Sequence, residues 1–293
     1  MRNQFGLILG LILAAYANVA AAAEPPFAAP SGFEGAGLGL GDQKGRVWTE
    51  TAFHTQEYFT VAAATLGAGY RVTDSLELEA MLPFSYVSVE FFDLGGHFSH
   101  SERDHGFGIG NPYLGISRVN LDGTLRYKAG LGVTLPIAAD EYPAGTAVVL
   151  APATYGWQNA HLWAPDVLSI AAPLRVEGGD TFVLGVDATP IVMISTEDEP
   201  YRDSDAEFVL QVAPGAGVYA TDALLIGARL PIFWAVTGDS YDNAQVAVEP
   251  YARLDVGSGF LNARFTVNLD EPLGFAFDEG KVWGAHLGGG LVF

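Results

Sequence analysis

Three of the six histidines crowd into one stretch, His97-Phe98-Ser99-His100-Ser101-Glu102-Arg103-Asp104-His105, with Asp93 just upstream. Imidazole and carboxylate together are the ligand types of zinc or another divalent ion. The spacing matches no recognised ligand motif, so a solvated polar loop is the first reading; His97, His100 and His105 stand as weak candidates and no metal is expected. Carboxylates at Glu197-Asp198-Glu199 and at Asp239 with Asp242 could meet calcium, but solvated charge explains them as well. Covalent catalysis has little to draw on. The chain has no Cys, and a serine nucleophile needs a base within hydrogen-bond reach. The histidines inside periodic segments, His54 and His286, have no evident Ser partner at matching height. No enzyme activity and no cofactor are expected.

The basic residues are more informative. Arg71, Arg118, Arg126, Lys128, Arg175, Arg229, Arg253 and Arg264 sit in stretches where every second residue is apolar, as do Glu77, Glu79, Glu249 and Asp255. In 244–256, Ala244, Val246, Val248, Pro250, Ala252, Leu254 and Val256 alternate with Gln245, Ala247, Glu249, Tyr251, Arg253 and Asp255. Period two belongs to strands with two unlike faces. The pattern predicts twelve strands, near 44–54, 58–71, 76–90, 106–119, 124–137, 165–176, 181–195, 205–219, 223–237, 244–256, 259–269 and 281–293. Their connections alternate. Those at 72–75, 120–123, 177–180, 220–222 and 257–258 are tight and rich in Asp, Gly and Ser, as hairpin turns should be. The others are mostly longer and acidic, with Arg103 and Arg202 as their only basic residues.

Composition narrows the class. With 34 acidic against 14 basic residues and a net charge of −20, the chain is no nucleic-acid binder. An apolar share of 49% excludes disorder. Residues 1–23 carry Arg2, an apolar stretch from Phe5 to Ala17 and the small run Ala21-Ala22-Ala23, the signature of a cleaved secretory signal peptide. A spanning helix would need about 20 apolar residues, and Asn18 interrupts this stretch. The expected organisation is a signal peptide at 1–23, a Pro- and Gly-rich periplasmic extension or partial plug at 24–43, and a β-domain at 44–293.

A soluble β-sandwich would also alternate, but its strands average about 5–6 residues. Longer strands, short turns on one side and longer loops on the other describe an antiparallel transmembrane β-barrel. Aromatic residues near strand ends, such as Tyr70, Tyr86, Phe182 and Trp283, fit interfacial girdles. The last strand ends in Phe293 and resembles the C-terminal strand of bacterial outer-membrane proteins, which implies that the barrel-assembly machinery reads Phe293 as an insertion signal. Pro83, Pro112, Pro136, Pro173, Pro190, Pro214, Pro231 and Pro250 fall inside the predicted strands. Proline cannot donate to the ladder, so repeated local distortions are expected.

The stretch Phe107-Gly108-Ile109-Gly110-Asn111-Pro112-Tyr113-Leu114-Gly115, the turn Leu121-Asp122-Gly123 and Ala129-Gly130-Leu131-Gly132-Val133-Thr134-Leu135-Pro136 resemble outer-membrane transporters of the MetA-pathway phenol-degradation type. There a G-x-G-D strand leads through a hairpin to a strand ending L-P-T-G. Asn111 stands where Asp is usual, and Ile137-Ala138 where Thr-Gly is usual. The resemblance implies a channel or transporter in the outer membrane of a Gram-negative bacterium.

With the apolar face toward lipid, the basic and acidic residues named above line the lumen. An Arg ladder could tune an open pore for anionic or polar solutes, or the same residues could pair with Glu77, Glu79, Glu249 and Asp255 and fill the interior. Twelve strands lie between filled eight-stranded barrels and water-filled porins. The expected partners are outer-membrane lipid, the assembly machinery and a small solute, either hydrophobic or aromatic, or anionic. A filled barrel with a structural or adhesive role, using the long loop 138–164, is the alternative; a lipid-processing hydrolase is a third.

Overall fold

The computed structural model describes residues 44–56, 59–92, 101–120, 122, 125–154, 158–196, 206–237, 243–269 and 283–293. The predicted signal peptide, the 24–43 extension, His97 and His100 lie outside the described residues, as do the acidic clusters at 197–199, 239 and 242.

Twelve strands form. They are β1 Gly45–Thr55, β2 Phe59–Thr73, β3 Leu76–Phe92, β4 in two stretches Ser101–Ile109 and Tyr113–Asn120, and β5 Leu125–Thr134. Then come β6 in two stretches Val167–Ala171 and Leu174–Gly178, β7 Phe182–Ser195, β8 Ala206–Tyr219, and β9 in two stretches Leu224–Arg229 and Ile232–Ala235. The last are β10 Ala244–Val256, β11 Gly259–Asn268 and β12 Trp283–Val292. Neighbours in sequence pair antiparallel, and β12 returns to β1, with Arg46 opposite Val292 and Phe53 opposite Ala285. The sheet therefore closes on itself, which answers most of the hydrogen-bonding demand that lipid places on backbone; among the described residues the Ser101–Ile109 stretch of β4 is laddered on one side only, to β3. Phe293 lies on the outer face at the seam, its ring against Gly45 and its carbonyl accepting from the Lys44 and Gly45 amides.

The period-two pattern sets the two faces. On β1, Arg46, Trp48, Glu50, Ala52 and His54 point inward and are buried, while Val47 and Phe53 are exposed on the outside. Leu66, Leu78, Leu114, Leu184 and Leu287 extend that outer apolar band. Inside, aromatic rings lie on neighbouring glycines. The Trp48 ring covers Gly67, and Tyr113 covers Gly115 and Gly132, so a side chain at any of the three would collide with the ring.

Prolines mark the breaks. β4, β6 and β9 are interrupted at Pro112, Pro173 and Pro231, and each break faces a second proline on the adjoining strand. The Pro83 carbonyl accepts from Gly110, that of Pro190 from Ala172, and that of Pro214 from Leu230. Two neighbouring prolines remove ladder donors at one place, and there the strand parts. At the β4 break the register also slips: Phe84 faces Ile109 and Met81 faces Tyr113, so Leu82 and Pro83 oppose three residues, a β-bulge at 110–112.

The segment after β5 departs from expectation. β5 ends at Thr134 instead of running to 137, and the 138–164 loop does not project outward as an adhesive loop would. It turns into the barrel. A short helix, α1 (Ala144–Leu150), lies against β3 and β4; 3-10 turns follow at Ala151–Thr154 and Ala160–Leu162. Val148, Ala151, Leu162 and Trp163 are 2% exposed or less and pack with Trp48, Met81, Tyr113, Ile191 and Val209 of the wall. Burying this apolar set, at about 1.5–3 kcal/mol for each large side chain, draws the segment inward.

Candidate functional site: the lumen

The inward charges form a ring. From β1, Arg46 Nη2 reaches Glu77 Oε1 at 2.7 Å and Glu79 Oε1 at 2.6 Å on β3, and Lys128 Nζ on β5 joins the same two carboxylates at 3.1 and 2.7 Å. A second network starts on β5 with Arg126, whose Nε reaches Glu177 at 3.0 Å on β6, and Arg175 connects Glu177 at 3.3 Å with Asp187 at 3.6 Å on β7. Arg229 on β9 links Asp187 at 3.8 Å with Glu249 on β10; Arg264 on β11 reaches Glu249 at 3.6 Å and closes on Glu50, back on β1. Six basic groups (Arg46, Arg126, Lys128, Arg175, Arg229, Arg264) meet six acidic ones (Glu50, Glu77, Glu79, Glu177, Asp187, Glu249). Toward the short-turn end Arg253 pairs with Asp255 at 2.9 Å and its guanidinium lies 4.3 Å over the Phe260 ring.

Most of these groups are nearly sealed: Glu79, Glu177 and Glu249 have side chains 1% exposed. Charges so deep must be paired, and breaking one pair costs about 3–5 kcal/mol because the partner is left alone. A ring of matched charges presents no net positive field. The basic ladder is present, but each ring member is answered by a carboxylate. The space left among Arg175, Asp187, Arg229 and Tyr251 is a cavity of about 20 Å³, room for about one water.

The placement of the predicted residues is mostly inward. Arg126, Lys128, Arg175, Arg229, Arg253, Arg264, Glu77, Glu79, Glu249 and Asp255 all face the lumen, and Arg71 does so at the short-turn end of β2. Arg118 does not. It is exposed on the outer face, opposite Leu76 and Ala129. The cause is the bulge at 110–112: Gly106, Gly108 and Gly110 point inward on even numbers, the extra residue resets the parity, and Tyr113, Ser117 and Val119 point inward on odd ones. Arg46, Glu50 and Glu177 belong to the ring and are missing from the sequence reading, although the Arg46-Trp48-Glu50 alternation and the Arg175-Glu177 spacing carry the signal.

His105 lies on the outer face with Nδ1 2.9 Å from the Tyr86 hydroxyl, and among the described residues no three His, Asp or Glu side chains gather as metal ligands. His54 Nδ1 donates to the Trp283 carbonyl at 2.6 Å. His286 does have a hydroxyl neighbour, Thr266 Oγ1 at 3.0 Å, with Glu50 3.6 Å from its other ring nitrogen. That hydroxyl gives its one proton to Glu249 at 2.6 Å, so the imidazole serves as its donor and not as its base. All of these side chains are buried.

Across the lumen, over the ring, lie residues 138–154 and 158–166, together called the 138–166 segment. Gly106 and Gly108 on β4 face the carbonyls of Pro143 and Ala144, Gly110 faces the Leu162 carbonyl and the Trp163 ring, and Gly284 on β12 faces the Thr154 carbonyl; a Cβ at any of them would strike the segment. The G-x-G-x-G run at 106–110 is thus a seat. Asn111, fully buried in the bulge, ties both roots of the segment: its Nδ2 donates to Ala164 O at 2.7 Å and more distantly to His161 O at 3.3 Å and Val167 O at 3.4 Å. Its Oδ1 accepts from Ile137 N at 3.0 Å and Ala138 N at 2.8 Å. At the far wall, Gln158 accepts from Arg229 Nη2 at 3.1 Å and donates to Glu249 Oε1 at 3.4 Å. Burial pushes His161, within this segment, down to a pKa of about 4; the Tyr142 hydroxyl donates to the Asp104 carboxylate, which holds that hydroxyl above its ordinary value.

No protein-family model matches the chain, and no curated protein does. Among solved structures, an outer membrane channel from Pseudomonas putida F1 superposes with a TM-score of 0.61 at 13% identity, over 90% of this chain and 99% of that one. The fold is that of an outer-membrane β-barrel. The translocator domain of the autotransporter NalP from Neisseria meningitidis aligns at a TM-score of 0.48 and 9% identity, over 85% and 89% of the two chains. A FadL homologue from Pseudomonas aeruginosa aligns at 0.41 and 12%, over 86% and 90%. At these identities the likeness extends to fold and not to cargo.

Proposed function

We propose that this barrel is a channel or transporter that passes a small solute across the outer membrane of a Gram-negative bacterium, exported by way of its leader and inserted by assembly machinery that reads the strand ending at Phe293. The carrying observation is the inward face: a lumen ringed by two networks of ion pairs, where a structural barrel needs only apolar filling. Buried ion pairs add little stability over apolar residues of equal volume, so their retention favours an interior that is at times wet. The neutrality of the ring speaks for selection by size and apolar fit over attraction of anions. The apolar wall around Trp48, Met81, Ile191 and Val209 supports a solute with an apolar body.

The test is conductance of the refolded protein in planar bilayers, paired with swelling of proteoliposomes in small aromatic alcohols and in sugars of similar size. Ion conductance with faster entry of the aromatic alcohols is expected. Neither conductance nor swelling, from protein whose gel migration shifts on heating as a folded barrel's does, would overturn the proposal.

A further inference from the structure

We infer that the 138–166 segment is a gate that swings on the β4–β6 wall and is latched to the opposite wall by Gln158; this rests on the channel reading above. Its two roots lie side by side, because β5 ends at Thr134, directly across from Ser169 at the start of β6. Asn111 binds residues 137, 138, 161, 164 and 167, all near those roots. The polar attachment of the roots therefore sits on one side of the lumen, while apolar packing holds the middle of the segment to β1, β3, β7 and β8. Across it, the polar hold is Gln158 on the Arg229–Glu249 pair, at 3.1 and 3.4 Å, beside the packing of the Thr154 carbonyl on Gly284.

Release has an asymmetric cost. Letting go of the latch returns Gln158, Arg229 and Glu249 to water, which solvates them, and the charge ring below keeps its pairs. Withdrawal also uncovers apolar surface on Leu162, Trp163 and the wall, so the closed state is the resting one. A solute with an apolar body that fills the vacated space offsets this penalty and binds the open form better, which is the differential affinity that a ligand needs to shift such an equilibrium. The seat explains the glycines: the backbone of the segment can lie flat on β4 only where no side chain projects.

The chain has no native Cys, which permits a reversible lock. A Cβ on Gly108 falls 2.6 Å from both Val148 Cγ2 and the Ala144 carbonyl oxygen, so Gly108→Cys/Val148→Cys crowds the seat when reduced and tethers the segment to it when oxidised. The reduced protein, like Gly108→Val, is expected to conduct more than wild type, and oxidation to lower its conductance several-fold. Gly108→Val, which blocks the seat, and Gln158→Ala, which removes the latch, are expected to conduct more than wild type while keeping heat-modifiable migration. Conductance equal in the oxidised, reduced and wild-type proteins would overturn the gate and leave the channel standing. Silence in wild type and in folded Gly108→Val and Gln158→Ala would overturn the channel itself.

Discussion

Replacing Asn111 by Asp changes one atom of the bulge and should undock the segment. The amide of Asn111 gives its N–H groups to carbonyls of the returning root, the nearest at 2.7 Å, and takes two backbone N–H groups of the leaving root at 2.8 and 3.0 Å. A carboxylate keeps the second pair and strengthens it, since hydrogen bonds to charged groups contribute about 1.5–3 kcal/mol against about 1 for neutral ones. On the other side it sets a charged oxygen against the Ala164 carbonyl oxygen, with the site fully buried. An uncompensated buried charge costs about 3–5 kcal/mol. At the middle of each range, about 4 kcal/mol of cost against about 2.5 kcal/mol gained over the two strengthened bonds leaves about 1.5 kcal/mol against docking, roughly a 10-fold loss in the docked-to-undocked ratio. The barrel wall keeps its own ladder, so heat-modifiable migration should persist. Limited proteolysis within 138–166 should accelerate, and single-channel conductance should rise. Acid should narrow the gap to wild type measured at the same pH, because a protonated carboxyl regains one donor. Asn111→Asp protein as protease-resistant and as weakly conducting as wild type at neutral pH would refute the claim that the donor half of this amide holds the segment.

Arg46→Ala takes one of the two basic groups shown between Glu77 and Glu79 and should lower stability by about 3–5 kcal/mol, read as an earlier urea midpoint; Arg118→Ala, on the outer face, should stay within about 0.5 kcal/mol. Equal effects would contradict the inward and outward assignments. Gly132→Val meets the Tyr113 ring and should cost about 1–3 kcal/mol by overpacking, and adding Tyr113→Ala should recover part of the loss; without recovery, the ring-on-glycine contact is not the cause. His161 is held neutral with its pKa lowered from 6.5 to about 4. Docking should therefore be at full strength above pH 6.5 and weaken as the pH falls toward 4, by up to about 3 kcal/mol. Conductance that rises over this range in wild type but less in His161→Gln checks the sign, and the same rise in both would reject His161 as the source.

The barrel was legible because lipid imposes a rule that the residues must state openly. Each strand had to alternate, each turn to be tight on one side, and the strand closing the seam to end apolar; the twelve predicted segments lie on the observed ones to within a few residues at most ends. The charged lumen followed from the same parity. Parity fails where an extra residue enters, and at Asn111 it does: Gly106 and Gly108 set an even inward phase that, continued, would carry Arg118 inside. Nothing local to Arg118 reveals the slip. A proline beside a buried Asn was the available sign.

The inward fold of 138–164 was harder to see, since a loop that leaves a barrel reads alike whether it stands out or turns in. Its own apolar content, with Val148, Leu162 and Trp163, argued against solvent, and the deciding signal lay on another strand. Glycine at 106, 108 and 110 spends three consecutive inward positions on no side chain at all. In a lumen otherwise filled by Arg, Glu, Tyr and Trp, such a bare strip is a surface reserved for something to lie against. The same reasoning assigns meaning to Gly67, Gly115 and Gly132, each bare under a ring. It also separates two uses of glycine in one chain: under a ring it fixes the wall, and under a backbone segment it makes a seat that the segment can leave.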